Sequence, residues 1–358
     1  MMMVVKPIII TATAMAFVQM ATAASCCDGV TDPKLSSSVV AIASRGAKGG
    51  PLTKDLVTRV TTLKNFLVHH NDNDTSALEL LDAPAVNVSA SIHLDSHGNR
   101  WPAHQMNTFA NKIYLVHNQE TVETRRQLQN KWSNKTLISN EVDVWHLLTL
   151  LHFTVDHSDS LLHYTSQFTH CIQVYNGIKG RHFSEEAHDH TFKKDLMLAA
   201  LIHDLGKLLA LVGNENDAHV DCMNRVIPGS LPAQEKGLDN IPIQWNHDEY
   251  GYQRLAAVRP RLPKRILASV RYHSLRELTG QTHRAPHKAS GGYDVTSKDI
   301  HEFQQQLTDE DRQLIPFILH MRHYDQSTKI RTDFIPDTNV TEIKDLLAEY
   351  FPGGKMRW

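Results

Sequence analysis

His203, Asp204 and Lys207 sit inside residues 196–211, LMLAALIHDLGKLLAL, a run that is otherwise apolar on almost every side. A helix that hydrophobic belongs at the centre of a domain. There an imidazole, a carboxylate and an ammonium are costly unless each has a strong partner. The adjacent His203 and Asp204 offer a nitrogen and an oxygen to a metal ion, and Lys207, four residues after His203, projects from the same face. Gly206 fits that chemistry, because an interior glycine costs roughly 1 kcal/mol relative to alanine. It is best understood where something approaches the backbone closely. The plainer alternative is a buried His-Asp hydrogen bond with a lysine that reaches out to solvent.

If the pair holds metal, further ligands are expected on apolar faces of other helices. Ile266, Val270 and His273 fall at i, i+4 and i+7, which places His273 on a core face. Leu314, Ile318, Met321 and Asp325 follow the same helical rhythm, with Lys329 four residues beyond. A lone core histidine is usually just hydrogen-bonded, whereas an aspartate in an apolar stripe asks for a partner. His170, in THCIQVYNGI, and His247, in NHDEYGY, complete the candidate set. Four histidines and two aspartates exceed what one metal with an open position can use, while two metals sharing a bridging carboxylate would employ all six. Nitrogen and oxygen donors without thiolate suit iron, manganese, nickel or zinc alike.

The elements that must carry these residues are mainly helical. Helical patterns run over 108–132, 139–153, 164–179, 191–212, 246–258, 263–278, 308–324 and 340–350, and no stretch alternates convincingly as a strand. Thr308-Asp-Glu-Asp and Pro263 mark helix starts. Loops at 181–190, 213–244 and 279–297 separate the patterns, the last two long enough to bind or cover something.

The chain of 358 residues is 41% hydrophobic and 21% charged with a net charge of -2, so no global field draws it to nucleic acid or an anionic membrane. Residues 1–24 resemble a cleavable secretory signal, with Lys6, a short apolar core and Ala21-Thr22-Ala23 at the end. A retained leader or an organelle address is the other reading. Residues 25–105 are polar, with one helical pattern at 52–69, and are expected to be a loosely ordered extension before a domain at 106–358. Cys26, Cys27, Cys171 and Cys222 show no zinc-type spacing or disulfide framework.

Taken together, HNQETVETRRQ (117–127), VDHSD (155–159), HCIQVYNGIK (170–179), HDLGKLLALVG (203–213), WNHDEYGYQ (245–253), RYHS (271–274), YDQSTK (324–329) and the terminal EYFPGGKMRW resemble the myo-inositol oxygenase family of the HD-domain superfamily. HDLGK alone is shared with hydrolases; the ordered series is specific. The resemblance implies a mainly α HD-domain fold and a non-haem di-iron centre, two iron ions in the mixed-valent Fe(II)/Fe(III) state. It implies the metal ligands His170, His203, Asp204, His247, His273 and Asp325, with Asp204 bridging. It also implies that Asp156, Lys207, Asp221, Ser274 and Lys329 bind the substrate, with Lys207 acting catalytically by orienting and acidifying a hydroxyl. His163 competes with His170, but HCIQVYNGIK matches the family better.

The implied reaction is the ring-cleaving oxidation of myo-inositol by dioxygen to D-glucuronate, in a monomer acting on a small molecule, without nucleic acid or membrane. Such enzymes are generally cytosolic, which the leader contradicts. Two departures bear on the substrate: Val220-Asp221-Cys222 stands where the family has Gly-Asp-Thr, and residues 282–297 are an extra polar insertion. A related di-iron oxygenase acting on another polyol or a phosphonate, and a metal-dependent phosphohydrolase in which Lys207 and Lys329 hold phosphate, are the alternatives.

Overall fold

In a computed structural model, the described residues are 106–358 apart from 139–140, 160, 163–164, 184–190, 214, 233–235, 260, 280–294 and 331–337. The leader at 1–24, the extension at 25–105, His163 and most of the insertion at 282–297 lie outside them.

The helices follow where their caps permit. The first expected helix, 108–132, is two: α1 (Met106–Asn118) and α2 (Val122–Trp132). Thr121 between them turns extended and accepts the Thr124 N–H, giving α2 its own start. A short strand β1 (Val142–Asp143) leads into α3 (Val144–Leu150), buried along its whole length, and a 3₁₀ turn Leu151–Phe153. Ser166 caps α4 (Gln167–Lys179), which carries His170.

The apolar run at 191–212 is not one continuous helix. α5 (Phe192–Ile202) stops just before His203; a 3₁₀ turn Leu205–Lys207 follows, then the short α6 (Leu208–Leu211). Leu196, Leu198, Ala199, Leu201 and Ile202 are fully buried, so this segment is the central rod of the fold. Its N-terminal part lies against α4, and the 3₁₀ turn lies against α7 (His247–Val258). Asn246 caps α7 by accepting the Asp248 and Glu249 N–H groups.

α8 (Lys264–Tyr272) packs on α5 and α7, and α9 (Arg276–Thr279) continues after a break. α10 (Ser297–Gln306), which the sequence did not reveal, starts from a Thr296–Asp299 capping box. α11 (Asp309–Ser327) starts from a second such box, Thr308–Asp311, and lies against α8, α5 and α4. α12 (Val340–Tyr350) precedes β2 (Lys355–Met356), which pairs antiparallel with β1 through Val142–Met356 and Asp143–Lys355. Trp358 ends the chain fully buried, edge-on to Tyr250. Thus α4, α5, α7, α8 and α11 each bring one end or one face to the same interior point.

No helix among the described residues is long and apolar enough to cross a membrane.

Candidate metal centre

His203 occupies the C-cap of α5 and His273 the C-cap of α8. Each ring folds back on its own helix: Nδ1–H donates to the carbonyl three residues earlier, Ala200 O at 2.9 Å and Val270 O at 3.2 Å. His247, the first residue of α7, does the same across the chain, donating from Nδ1 to Val220 O at 2.6 Å. A carbonyl can only accept, so in all three rings Nδ1 carries the proton and Nε2 is left as the inward ligand atom.

Those atoms converge on Asp204. Its Oδ2 lies 3.4 Å from His203 Nε2 and 3.9 Å from His170 Nε2, and its Oδ1 lies 3.2 Å from His247 Nε2. The two oxygens of one carboxylate therefore face two different sets of imidazoles. Asp325, from α11, reaches the first set: its Oδ1 is 2.8 Å from His170 Nε2 and 3.8 Å from His203 Nε2. His273 joins the second, its ring 4.9 Å from that of His203 and 5.8 Å from that of His247. One ligand atom from each of His170, His203 and Asp204 fits within 4.8 Å of the others, and so does one from each of Asp204, His247 and His273. All six side chains are buried.

Such a cluster needs cations. His203 Nε2 and Asp204 Oδ1 are buried without any hydrogen-bond partner, a desolvation cost of about 1–3 kcal/mol each. Burial pushes His203 down to about 3, which keeps it neutral as a ligand must be. Burial also opposes ionisation of Asp204 and Asp325, but Lys207 beside the first and Lys329 beside the second outweigh it and hold both carboxyls well below the usual range. Burial opposes charge on His247 as well, but Asp248 and Asp204 outweigh it and raise that ring to about 10, so in the absence of a cation it takes up positive charge instead. A neutral His203, ionised carboxylates and orphaned inward atoms are a donor set that fits metal ions with nitrogen and oxygen preference.

Two lysines flank the centre. Lys207 Nζ donates to Asp156 Oδ2 at 2.9 Å, Asp204 Oδ2 at 3.0 Å and Gln167 Oε1 at 2.8 Å. Lys329, two residues past the end of α11, lies 2.7 Å from Asp159 Oδ2 and 3.6 Å from Asp325 Oδ1. Each lysine thus ties one carboxylate of the cluster to one aspartate of the 155–159 loop. Asp221 lies near Asp156 and feels Lys207 and His247. Ser274 is engaged otherwise: its hydroxyl donates to Asp248 Oδ2 and accepts the Asn224 N–H.

Asp248, Asp159 and Gln167 were not singled out from the sequence. Asp248 is fully buried, with Oδ1 2.8 Å from His247 Nε2 and 3.7 Å from His273 Nε2. An aspartate in a first helical turn ordinarily answers the helix dipole, so nothing in its spacing separated it from a cap. Asp159 stands in the VDHSD motif and was legible there; Gln167 carried no signal.

A family model described as Myo-inositol oxygenase matches residues 106–227 and 229–358. The chain belongs to the myo-inositol oxygenase family. It is 24% identical over 272 residues to an inositol oxygenase of Danio rerio, covering 68% of this chain and 86% of that one. It is 25% identical over 281 residues to inositol oxygenase 1 of Arabidopsis thaliana (69% and 79% covered), and 24% identical over 268 residues to an inositol oxygenase of Bos taurus (67% and 83% covered). The mainly α architecture agrees with that membership, and the buried histidine and aspartate clusters agree with metal use.

Proposed function

We propose that the chain is an inositol oxygenase that uses dioxygen to open the ring of myo-inositol to D-glucuronate, and that residues 106–358 form its catalytic HD domain. The observation that carries the reading is the placement of Asp204, one oxygen toward His170 and His203 and the other toward His247, as a carboxylate bridging two ions would require. On this reading His170, His203 and Asp325 hold one iron, His247 and His273 the other, and Asp204 both. When bound, an Fe(II)/Fe(III) pair supplies Lewis acidity toward a polyol hydroxyl and electrons toward dioxygen.

The chain's own groups do the rest. Burial alone would lower Lys207, but Asp156 and Asp204 outweigh it and keep the ammonium charged. Lys207 then offers a fixed positive charge to a substrate oxygen that is losing its proton, without becoming the base itself. Lys329, likewise kept charged by Asp325 and Asp159, would donate to a second hydroxyl, while Asp156 and Asp221 accept from others. Ser274, by way of Asp248, would position His247 and His273; a direct contact with substrate would require it to leave Asp248.

The test is dioxygen uptake by reduced, iron-loaded protein given myo-inositol, with D-glucuronate as product. Stoichiometric uptake and uronate are expected. No uptake, with phosphate released from a phosphomonoester instead, would overturn the reading in favour of a hydrolase.

A further inference from the structure

A protonated lysine has three N–H groups, and those of Lys207 are engaged by Asp156 Oδ2, Asp204 Oδ2 and Gln167 Oε1. While those bonds stand, its charge acts on the site but it has no hydrogen left for a ligand oxygen. Gln167 is where an unused donor lies. It is the first residue of α4, fully buried, and stands three positions before His170, so the two side chains share one face of the helix. An ammonium can only donate, which fixes Oε1 as the atom facing Lys207 and turns the amide NH2 the other way. Among the described residues that Nε2 has no hydrogen-bond partner.

An orphaned donor inside a domain is costly, and this one cannot turn to another partner without giving up the charged bond to Lys207. Lys207 stands between the amide and the central carboxylate, 2.8 Å from Gln167 Oε1 and 3.0 Å from Asp204 Oδ2. The nature of the orphan says what it suits. His203 Nε2 and Asp204 Oδ1 are acceptors and face cations, whereas an amide nitrogen has no lone pair to offer and suits an oxygen. The ammonium bonded at Oε1 also draws electrons toward itself, which makes the N–H groups on the far side of the amide stronger donors.

We propose that Gln167 contacts the substrate, its Nε2 donating to one hydroxyl oxygen of the bound polyol and passing on the pull of the Lys207 charge. This rests on the reading of the site as that of a polyol oxygenase. An oxygen that gains negative charge accepts more strongly, so the bond tightens as its hydroxyl loses a proton. A donor fixed in this way also selects: a polyol without an oxygen at that position leaves the amide unpaired.

The experiment titrates myo-inositol, and a set of inositols each lacking one hydroxyl, into the iron-loaded full-length protein by calorimetry without dioxygen, so that binding is read without turnover. Gln167→Glu keeps an acceptor for Lys207 and loses the donor; Gln167→Met loses both. Each should weaken myo-inositol at least about tenfold, or 1.4 kcal/mol, with iron content and circular dichroism unchanged. The penalty for one particular missing hydroxyl should largely vanish in Gln167→Met, a coupling that a merely structural residue would not show. Affinity of Gln167→Glu equal to that of the unmodified protein would make Gln167 a prop for Lys207 alone and overturn the contact. Equal penalties for every missing hydroxyl in both proteins would overturn it too. Should Gln167→Met fail to fold, Gln167→Glu carries both measurements. If the unmodified protein binds no polyol, the inositol reading falls, and inorganic phosphate then tests the donor by itself: weaker binding by Gln167→Met keeps it, and equal or no binding overturns it.

Discussion

Gly206 and His247 touch backbone to backbone: a Cβ placed on Gly206 would lie 1.9 Å from the His247 carbonyl oxygen and 2.7 Å from its carbonyl carbon. The neighbour is main chain, so it cannot swing aside as a flexible side chain would. This contact sets the start of α7 against the turn after Asp204, and with it the separation of the His247 ring from the Asp204 carboxylate. Gly206→Ala should therefore do more than overpack the core at about 1–3 kcal/mol. It should displace His247 and deplete the ion that this residue helps to hold. Elemental analysis of the purified variant checks this; a folded Gly206→Ala protein with full metal content would contradict it.

Asp325 and Lys329 are neighbours with separable tasks. Asp325→Ala removes a carboxylate aimed at His170 and His203 and is expected to lose one metal equivalent and nearly all turnover. Lys329→Ala should keep both metals and raise KM by about 10–100-fold, the effect of one charged hydrogen bond to substrate. Parallel metal assays and oxygen-uptake kinetics separate the two. Equal metal content and full turnover in Asp325→Ala would remove it from the ligand set.

Much of the candidate centre was legible in the chain because burial and charge conflict there. Asp325 in the stripe of Leu314, Ile318 and Met321 announced itself, and His273 fell on the face set by Ile266 and Val270; the carboxylate and the ring both lie inside. The continuous helix over 191–212 did not hold. Apolar periodicity reports burial, and buried residues continue through the break after Ile202 into the 3₁₀ turn. What breaks the helix is the arrival of α7 at Gly206, a contact across forty-one positions of sequence that no local pattern encodes. α10 was missed for the opposite reason: Phe303 is its one buried side chain, so its apolar rhythm is faint although Thr296 and Asp299 spell its cap.

Metal removal gives a third expectation. With His203 Nε2 and Asp204 Oδ1 buried without a hydrogen-bond partner, the chelated protein keeps their desolvation cost. Ligands that bind only the folded state stabilise by about 2.7 kcal/mol at one hundred times their dissociation constant, worth roughly 5–10 °C in a domain of this size. Differential scanning calorimetry of chelated and iron-reloaded protein should show that rise, and Asp325→Ala a smaller one. Identical melting curves would mean that the cluster does not hold ions.

Glu120 makes stability depend on pH in the direction opposite to most carboxylates. It is buried after α1, and its Oε1 accepts the Trp245 N–H at 2.6 Å. Burial pushes its carboxyl up to about 8, against the opposing pull of that N–H and of Arg125 and with the help of Glu249. The folded state thus holds a proton that the unfolded chain releases near the ordinary carboxylate range. The stabilisation from that proton is complete below the unfolded value, around 4.3, and drains away as pH rises through about 8. Glu120→Gln keeps an acceptor for Trp245 and has no proton to lose. Urea unfolding of the two proteins from pH 5 to 8.5 should show the original losing on the order of a few kcal/mol relative to the variant. Parallel pH profiles would show that Glu120 is ionised in the folded protein throughout.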